Sequence, residues 1–168
     1  VQLQRVLTFG IPLIPHAVGA TLLAMSDRYF ISYFEGNSYV GLYTVSYQIG
    51  AIMLLFSRSV NQAWSPMLFD LLKNKNYQKA KLFTGFLFGI FLLIGVMIYF
   101  SSGLLFHYFV NPSFFGAKLY FGALLLGFVF QSLYMLFANF IFFSKRTKTL
   151  AIITFISTIL NLFLNYIL

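Results

Sequence analysis

The 168-residue sequence contains no cysteine and has very little charge. The missing thiols exclude disulfides, thiolate metal sites and a cysteine nucleophile from these residues. Three side chains are acidic and eleven are Lys or Arg, so that only 8% of the chain is charged, whereas soluble domains carry about 25%. A water-soluble fold of this size needs more charge than that on its surface. The composition therefore indicates a membrane protein.

Recognisable catalytic signatures are also missing. The three acidic residues are scattered, and the two histidines, His16 and His107, are far apart in the chain. The sequence contains no metalloprotease H-E-x-x-H motif, no G-x-S-x-G nucleophile elbow and no Walker-type phosphate-binding loop. We therefore expect the chain not to be an enzyme and to need neither a cofactor nor a metal ion.

Long uncharged runs fill most of the sequence, at residues 6–26, 36–57, 82–117, 119–144 and 149–168. As helices they can cross a bilayer core of ~30 Å, which takes about 20 residues. They lack the alternating polar and apolar pattern of barrel strands. The sequence thus predicts an all-α polytopic membrane helix bundle in a single domain, residues 1–168. About five transmembrane helices are expected, near 6–34, 39–64, 82–106, 118–144 and 149–168.

The cations lie between the apolar runs, and their placement predicts the topology. Arg5 precedes the first run, four lysines lie in the segment 73–81, and three cations lie in the segment 145–148. Under the positive-inside rule these segments are cytoplasmic, and the loops near residues 36 and 112 face outward. Because no basic face is formed, the net charge of +8 does not indicate a nucleic-acid partner.

Prolines and glycines predict local features of the helices. Pro12 and Pro15 each remove a backbone donor, so we expect a kinked or broken first helix. Pro66 is expected to end the second helix, leaving residues 66–81 as an amphipathic surface segment. Gly85 and Gly89 form a G-x-x-x-G pair that allows another helix to approach closely.

Ionisable residues inside the predicted spans are the main candidates for function, because lipid exposure of a charge is costly. Asp27 and Arg28 either line a cavity that handles an anion or a coupling ion, or form an interfacial pair with Arg28 snorkelling outward. His16 either takes up a proton during transport or hydrogen-bonds a carbonyl freed by the proline kink.

A second group of candidates lies in the second predicted helix. Arg58 is followed at i+3 and i+4 by Asn61 and Gln62, and guanidinium with amides on one face suits phosphate and sugar hydroxyls. A single snorkelling Arg58 is the alternative. Tyr47 belongs to a stripe of tyrosines that either stacks on sugar rings or anchors the helix at the interface. Polar residues along the last helix, including Asn161 and Asn165, predict hydrogen bonding between helices.

Several of these residues form a pattern that resembles a known family. The runs are F-G-I-P-L-I-P at 9–15, S-D-R-Y at 26–29, V-G-L-Y at 40–43 and N-Q-A-W-S-P at 61–66. They resemble the second half of bacterial polysaccharide exporters, the O-antigen and capsule-type lipid-linked oligosaccharide flippases of the multidrug/oligosaccharidyl-lipid/polysaccharide (MATE-like) superfamily. The segment 160–168 is similar to the family's eleventh helix. We therefore expect a piece of a longer transporter, helices seven to eleven, in its C-terminal lobe.

The resemblance implies alternating-access translocation of undecaprenyl-diphosphate-linked oligosaccharide repeat units across the bacterial cytoplasmic (inner) membrane, for O-antigen, capsule or exopolysaccharide synthesis. Expected partners are this lipid-linked oligosaccharide, membrane lipids, and a polysaccharide polymerase with other glycan-assembly membrane proteins. The substrate-binding candidates are Arg28, Arg58, Asn61, Gln62 and Tyr47, and the ion-coupling candidates are Asp27 and His16. The alternatives are a cation-coupled multidrug exporter of the same superfamily and a non-transporting scaffold for glycan synthesis.

Overall fold

The computed structural model describes residues 10, 11 and 13–167, with the side chains of residues 13, 15, 16, 23 and 24 left undescribed. Over this part of the chain every regular element is helical, which confirms the all-α prediction. The helices are α1 Leu13–Phe34, α2 Asn37–Gly50, α3 Ile52–Lys73, α4 Tyr77–Phe100, α5 Ser102–Phe109, α6 Lys118–Phe143 and α7 Thr147–Ile167, with a 3₁₀ segment at Pro112–Ala117.

Four helical stretches within the described residues are long and apolar enough to cross a membrane. They are Asn37–Lys73, which combines α2 and α3, then Tyr77–Phe100, Pro112–Phe143 and Thr147–Ile167. The fifth span expected from the sequence is also helical, since α1 has 22 residues and is about 33 Å long. It does not reach the same apolarity, because Asp27 and Arg28 lie within it.

The chain divides into two compact units. The first joins the stretch up to Val40 to the stretch from Phe140 onward, and the second is Gly41–Asn139. In the first unit α1 packs against α7 at Gly19, where an added Cβ would come within 3.0 Å of Thr154 and Thr158 side-chain atoms. The hydroxyl of Thr158 donates to the Gly19 carbonyl at 3.2 Å. A larger residue there would require the Thr154 and Thr158 side chains to shift by a few tenths of an ångström.

The second unit is held together by apolar packing with hydroxyl groups inside it. Its fully buried side chains include Met53 on α3, Phe91 on α4 and Phe121 on α6. Between α3 and α6, the Ser132 and Ser57 hydroxyl oxygens are 2.9 Å apart, and each also lies within hydrogen-bond distance of a carbonyl of its own helix. Each buried hydroxyl thus has a partner, as a membrane interior requires.

Pro66 does not end its helix, so that prediction is wrong. It lies inside α3, which continues to Lys73 before a short turn, and α4 begins at Tyr77. Proline removes one backbone hydrogen bond, but Leu68 and Leu72 in the following turns are buried, at 0% and 9% exposure. Their packing holds the helix together, and the predicted amphipathic segment 66–81 is instead the end of one helix and the start of the next.

The sequence predicts a kink or break at the proline-rich start of α1. Because α1 begins at Leu13, Pro15 falls in its first turn, where backbone N–H groups have no intrahelical partner and proline is tolerated. The described helix continues without a break to Phe34, while Gly10 is helical and Ile11 is in a turn. The helix is therefore interrupted just before α1, and the role of Pro15 in that interruption stays a prediction. Pro12, the other predicted kink residue, lies outside the described residues.

Among the described residues, three helices are followed by a residue in the left-handed conformation. Gly36 follows α1 with φ 94°, while Lys75 after α3 and Lys145 after α6 have φ 57° and 55°. The N–H groups of Lys75 and Asn76 donate to the carbonyls of Leu72 and Leu71, and the turn after α6 repeats this pattern. These are Schellman motifs, whose left-handed position favours glycine. A lysine there costs about 1 kcal/mol relative to glycine.

The α3 and α6 contact predicts a specific cross-link. Because the Ser57 and Ser132 hydroxyls are 2.9 Å apart, replacing both by cysteine should give a disulfide in most molecules on mild oxidation. Its formation is measured as loss of alkylation by mass spectrometry, on a stretch with no native cysteine. A Ser59→Cys, Ser132→Cys pair serves as control, because Ser59 is exposed, and equal cross-linking of both pairs would contradict the packing.

Candidate functional site

The most connected group of polar side chains in the first unit is the α1–α7 cluster, which we define as Ser26, Asp27, Asn161 and Asn165. The amide nitrogen of Asn165 donates to Asp27 Oδ1 at 2.8 Å and to Asn161 Oδ1 at 3.3 Å. The Ser26 hydroxyl donates to the same Asn161 oxygen at 2.9 Å. All four residues are half-buried, so a carboxylate within an apolar helix pair is held by an amide donor.

The geometry of the two helices explains how such short side chains meet. Asn161 and Asn165 are four residues apart on α7, so they occupy one face. The same face carries Thr154 and Thr158, which are buried against α1 where Gly19 permits a close approach. Further along that face, the amides of Asn161 and Asn165 lie level with Asp27. The position of the carboxylate therefore depends on packing two to three turns away.

Two other predicted residues lie in α1. Arg28 follows Asp27 directly and is half-buried, so neighbouring positions on this helix carry opposite charges. The backbone of His16 belongs to α1, but its side chain lies outside the described part of the chain, so its predicted ion-coupling role stays a prediction.

In the second unit the predicted Arg58, Asn61 and Gln62 group is divided between two environments. Asn61 is turned toward α6, where its Oδ1 accepts from the Asn139 amide at 2.7 Å. Arg58 and Gln62 lie on the exposed side of α3. The structure therefore pairs Asn61 with another helix, and it leaves a guanidinium and an amide one turn apart on an open surface.

Tyr47 is half-buried and packs against other aromatic rings. Its ring centroid is 5.0 Å from that of Phe128 in an edge-to-face arrangement, and 6.2 Å from that of Tyr43. Tyr43 itself is buried. The tyrosine stripe expected from the sequence thus forms part of the packing between α2 and α6, and part of Tyr47 remains accessible.

The sequence matches a known protein family over most of its length. The MatE family profile matches residues 12–167, which is nearly the whole chain. The chain belongs to the MatE family. No solved structure matches it significantly. The membership confirms the expected MATE-like superfamily, and MatE family members are membrane transporters.

Two curated relatives come from Haemophilus influenzae. The chain is 27% identical over 158 residues to a protein named Lsg locus putative protein 1, and 27% identical over 161 residues to an uncharacterized membrane protein. These alignments cover 92% and 94% of this chain but 39% of each relative. The chain thus spans about two-fifths of the length of the curated relatives it matches.

Sequence reasoning missed three residues of this MatE chain as parts of a site. Ser26 entered only through the S-D-R-Y run, and Asn139 and Asn165 only as residues that join helices. In the structure Asn165 contacts Asp27, Asn139 contacts Asn61, and Ser26 contacts Asn161. The four-residue spacing of Asn161 and Asn165 indicated a common face, but the helix opposite that face was not predictable from spacing. Among the described residues no group of three or more His, Asp and Glu side chains forms a metal site.

Proposed function

We propose that the full-length protein translocates undecaprenyl-diphosphate-linked oligosaccharide repeat units across the bacterial cytoplasmic membrane by alternating access. The MatE membership supports transport, and this proposal adds the substrate. O-antigen, capsule or exopolysaccharide synthesis would consume such units. A polysaccharide polymerase and other glycan-assembly membrane proteins would then be its partners.

The choice of an anionic substrate rests mainly on the exposure of Arg58 within an apolar helix. This residue lies within the apolar stretch Asn37–Lys73 and is exposed on this chain. Among the described residues no carboxylate pairs with it, and Gln62 is one turn away on the same side. An exposed guanidinium in apolar surroundings attracts an anion and can bind phosphate through two donors. The neighbouring amide suits a sugar hydroxyl.

The charge balance in α1 supports the same choice. Arg28 places a second cation within a helix of the first unit, and the acidic Asp27 already accepts a hydrogen bond from Asn165. A cation-coupled multidrug exporter, the alternative within the superfamily, would be expected to present acidic groups to cationic drugs. Two arginines and one engaged carboxylate favour an anionic substrate over a cationic one.

Asp27 is our candidate for ion coupling. A carboxylate in a helix interface is where uptake or release of a cation changes the interaction between two helices most strongly. In this structure the carboxylate connects α1 to α7 through one amide donor. A change of charge there would alter the contact between these helices, which is the kind of step that alternating access requires.

Deletion of the full-length gene should cause an unpolymerised lipid-linked oligosaccharide to accumulate, because polymerisation follows translocation. Mass spectrometry of polyprenyl-linked lipids measures this, with drug susceptibility tested in the same strain. Accumulation with unchanged drug tolerance is expected. Increased drug sensitivity without accumulation would favour the multidrug exporter, and neither change would favour a non-transporting scaffold.

Arg58→Ala in the full-length protein should lower export at least about tenfold, because hydrogen bonds to a charged group contribute about 1.5–3 kcal/mol. Membrane insertion should be unchanged, since Arg58 is exposed. Arg58→Lys should be intermediate, because lysine keeps the charge without the paired donors. Lys118→Ala is the control cation, and normal export by well-expressed Arg58→Ala would refute the assignment.

Asp27→Asn should remove the dependence of transport on an ion gradient, because an amide cannot change its charge. Transport of labelled lipid-linked oligosaccharide is measured in proteoliposomes, with and without an imposed proton or sodium gradient. Glu35→Gln is the matched control, an exposed acid at the end of the same helix. Undiminished stimulation by a gradient in Asp27→Asn would exclude this role.

A further inference from the structure

The two Schellman turns after α3 and α6 each contain lysine where glycine would be the least strained choice. Lys75 and Lys145 have φ values of 57° and 55°, a region that residues with a Cβ adopt at a cost. Both turns have the same pair of backbone hydrogen bonds. A strained backbone that recurs with the same side chain points to a use for that side chain.

Further cations surround each of these lysines. The first turn has Lys73, Lys79 and Lys81 nearby, and all of them are exposed, as is Lys75 itself. The second has the exposed Arg146 and Lys148 beside Lys145. One acidic residue, Asp70, lies within the last turn of α3. Each turn therefore presents a locally cationic surface.

Stabilisation of the helix ends is the simplest competing explanation. Cations near a helix C-terminus interact favourably with its exposed carbonyl groups, and this offsets part of the strain. That interaction depends on the helix alone. It predicts that replacing the lysine has the same effect whatever lipid surrounds the protein.

The helices next to these turns indicate what the cations face. Beyond the first turn, Tyr77 and Leu82 on α4 are 62% and 70% exposed, and beyond the second, Ile152 on α7 is 59% exposed. Both helices belong to stretches able to cross a membrane. Each cationic turn thus borders an exposed apolar surface, as side chains do at the boundary between acyl chains and headgroups.

We propose that the lysine-containing Schellman turns at Lys75 and Lys145 are binding sites for the phosphate headgroups of anionic phospholipids. Lys75 and Lys145 are both exposed, and the flanking cations add to the local potential. Anionic lipids attract cations close to the membrane surface. Glycine would be easier to accommodate at these positions, but it would remove the ammonium group. This proposal does not depend on the transported substrate.

Lipid-dependent stability of the full-length protein tests it. Wild type, Lys75→Gly, Lys145→Gly and the double variant are placed in nanodiscs of phosphatidylcholine, alone or mixed with phosphatidylglycerol, and thermal unfolding is followed by scanning fluorimetry. In neutral discs each glycine variant should unfold at the same or a higher temperature, because strain is relieved. In anionic discs the wild type should gain several degrees, and the double variant should lose at least half of that gain.

Controls separate charge from backbone effects. Lys75→Arg and Lys145→Arg keep both the cation and the strain, so they should keep the gain from anionic lipid. Lys118→Gln removes a cation outside these turns and should also keep it. An equal gain in wild type and the double glycine variant would overturn the proposal. So would a wild-type gain that inorganic phosphate or pyrophosphate reproduces in neutral discs, since a soluble anion would then be the ligand.

Discussion

Every polar group that this chain buries must find a partner within the chain, because an apolar environment offers none. Helices satisfy the backbone, and the buried hydroxyls and amides bond either to their own helix or to the next one, as Ser57, Ser132 and Thr158 do. The indole nitrogen of Trp64 is the exception among described buried side chains. The same requirement places small polar residues opposite one another in the α3–α6 and α1–α7 pairs, while α3 and α4 meet through aromatic rings.

This requirement also divides the candidate site residues into those bonded to another helix and those that are exposed. Asp27 and Asn61 are tied to a neighbouring helix through an amide, at 2.8 Å and 2.7 Å. They therefore contribute to helix association whatever else they do. Arg58 and Gln62 are exposed and make no such contribution, which leaves them available for a ligand. Whether a polar side chain is hydrogen-bonded to another helix or exposed therefore distinguishes the candidates better than the type of residue alone.

Charged residues occur in two places in this protein, within the apolar helical stretches and at the helix ends. Within the apolar stretches a charge is costly, so each one needs a specific partner or a specific purpose. At the helix ends after α3 and α6, charges are frequent and exposed, and they occur even on a left-handed residue. The described part of the chain thus combines three charged side chains away from its helix ends, Asp27, Arg28 and Arg58, with a larger number of exposed charges at its helix ends.

The sequence by itself determined the helical membrane class and the approximate positions of the spans, because long apolar runs and cation placement are local properties. The family came from the resemblance of four short runs of residues. The sequence misjudged Pro66, since the burial of Leu68 and Leu72 decides whether this proline interrupts its helix. It singled out Gly85 and Gly89, yet a Cβ added at either would contact no neighbouring helix of the described chain within 4 Å, while a Cβ at Gly19 or Gly95 would meet the Thr158 or Val129 side chain. Only the tertiary structure identified Asn165 as the partner of Asp27, because a hydrogen bond between helices depends on which faces meet.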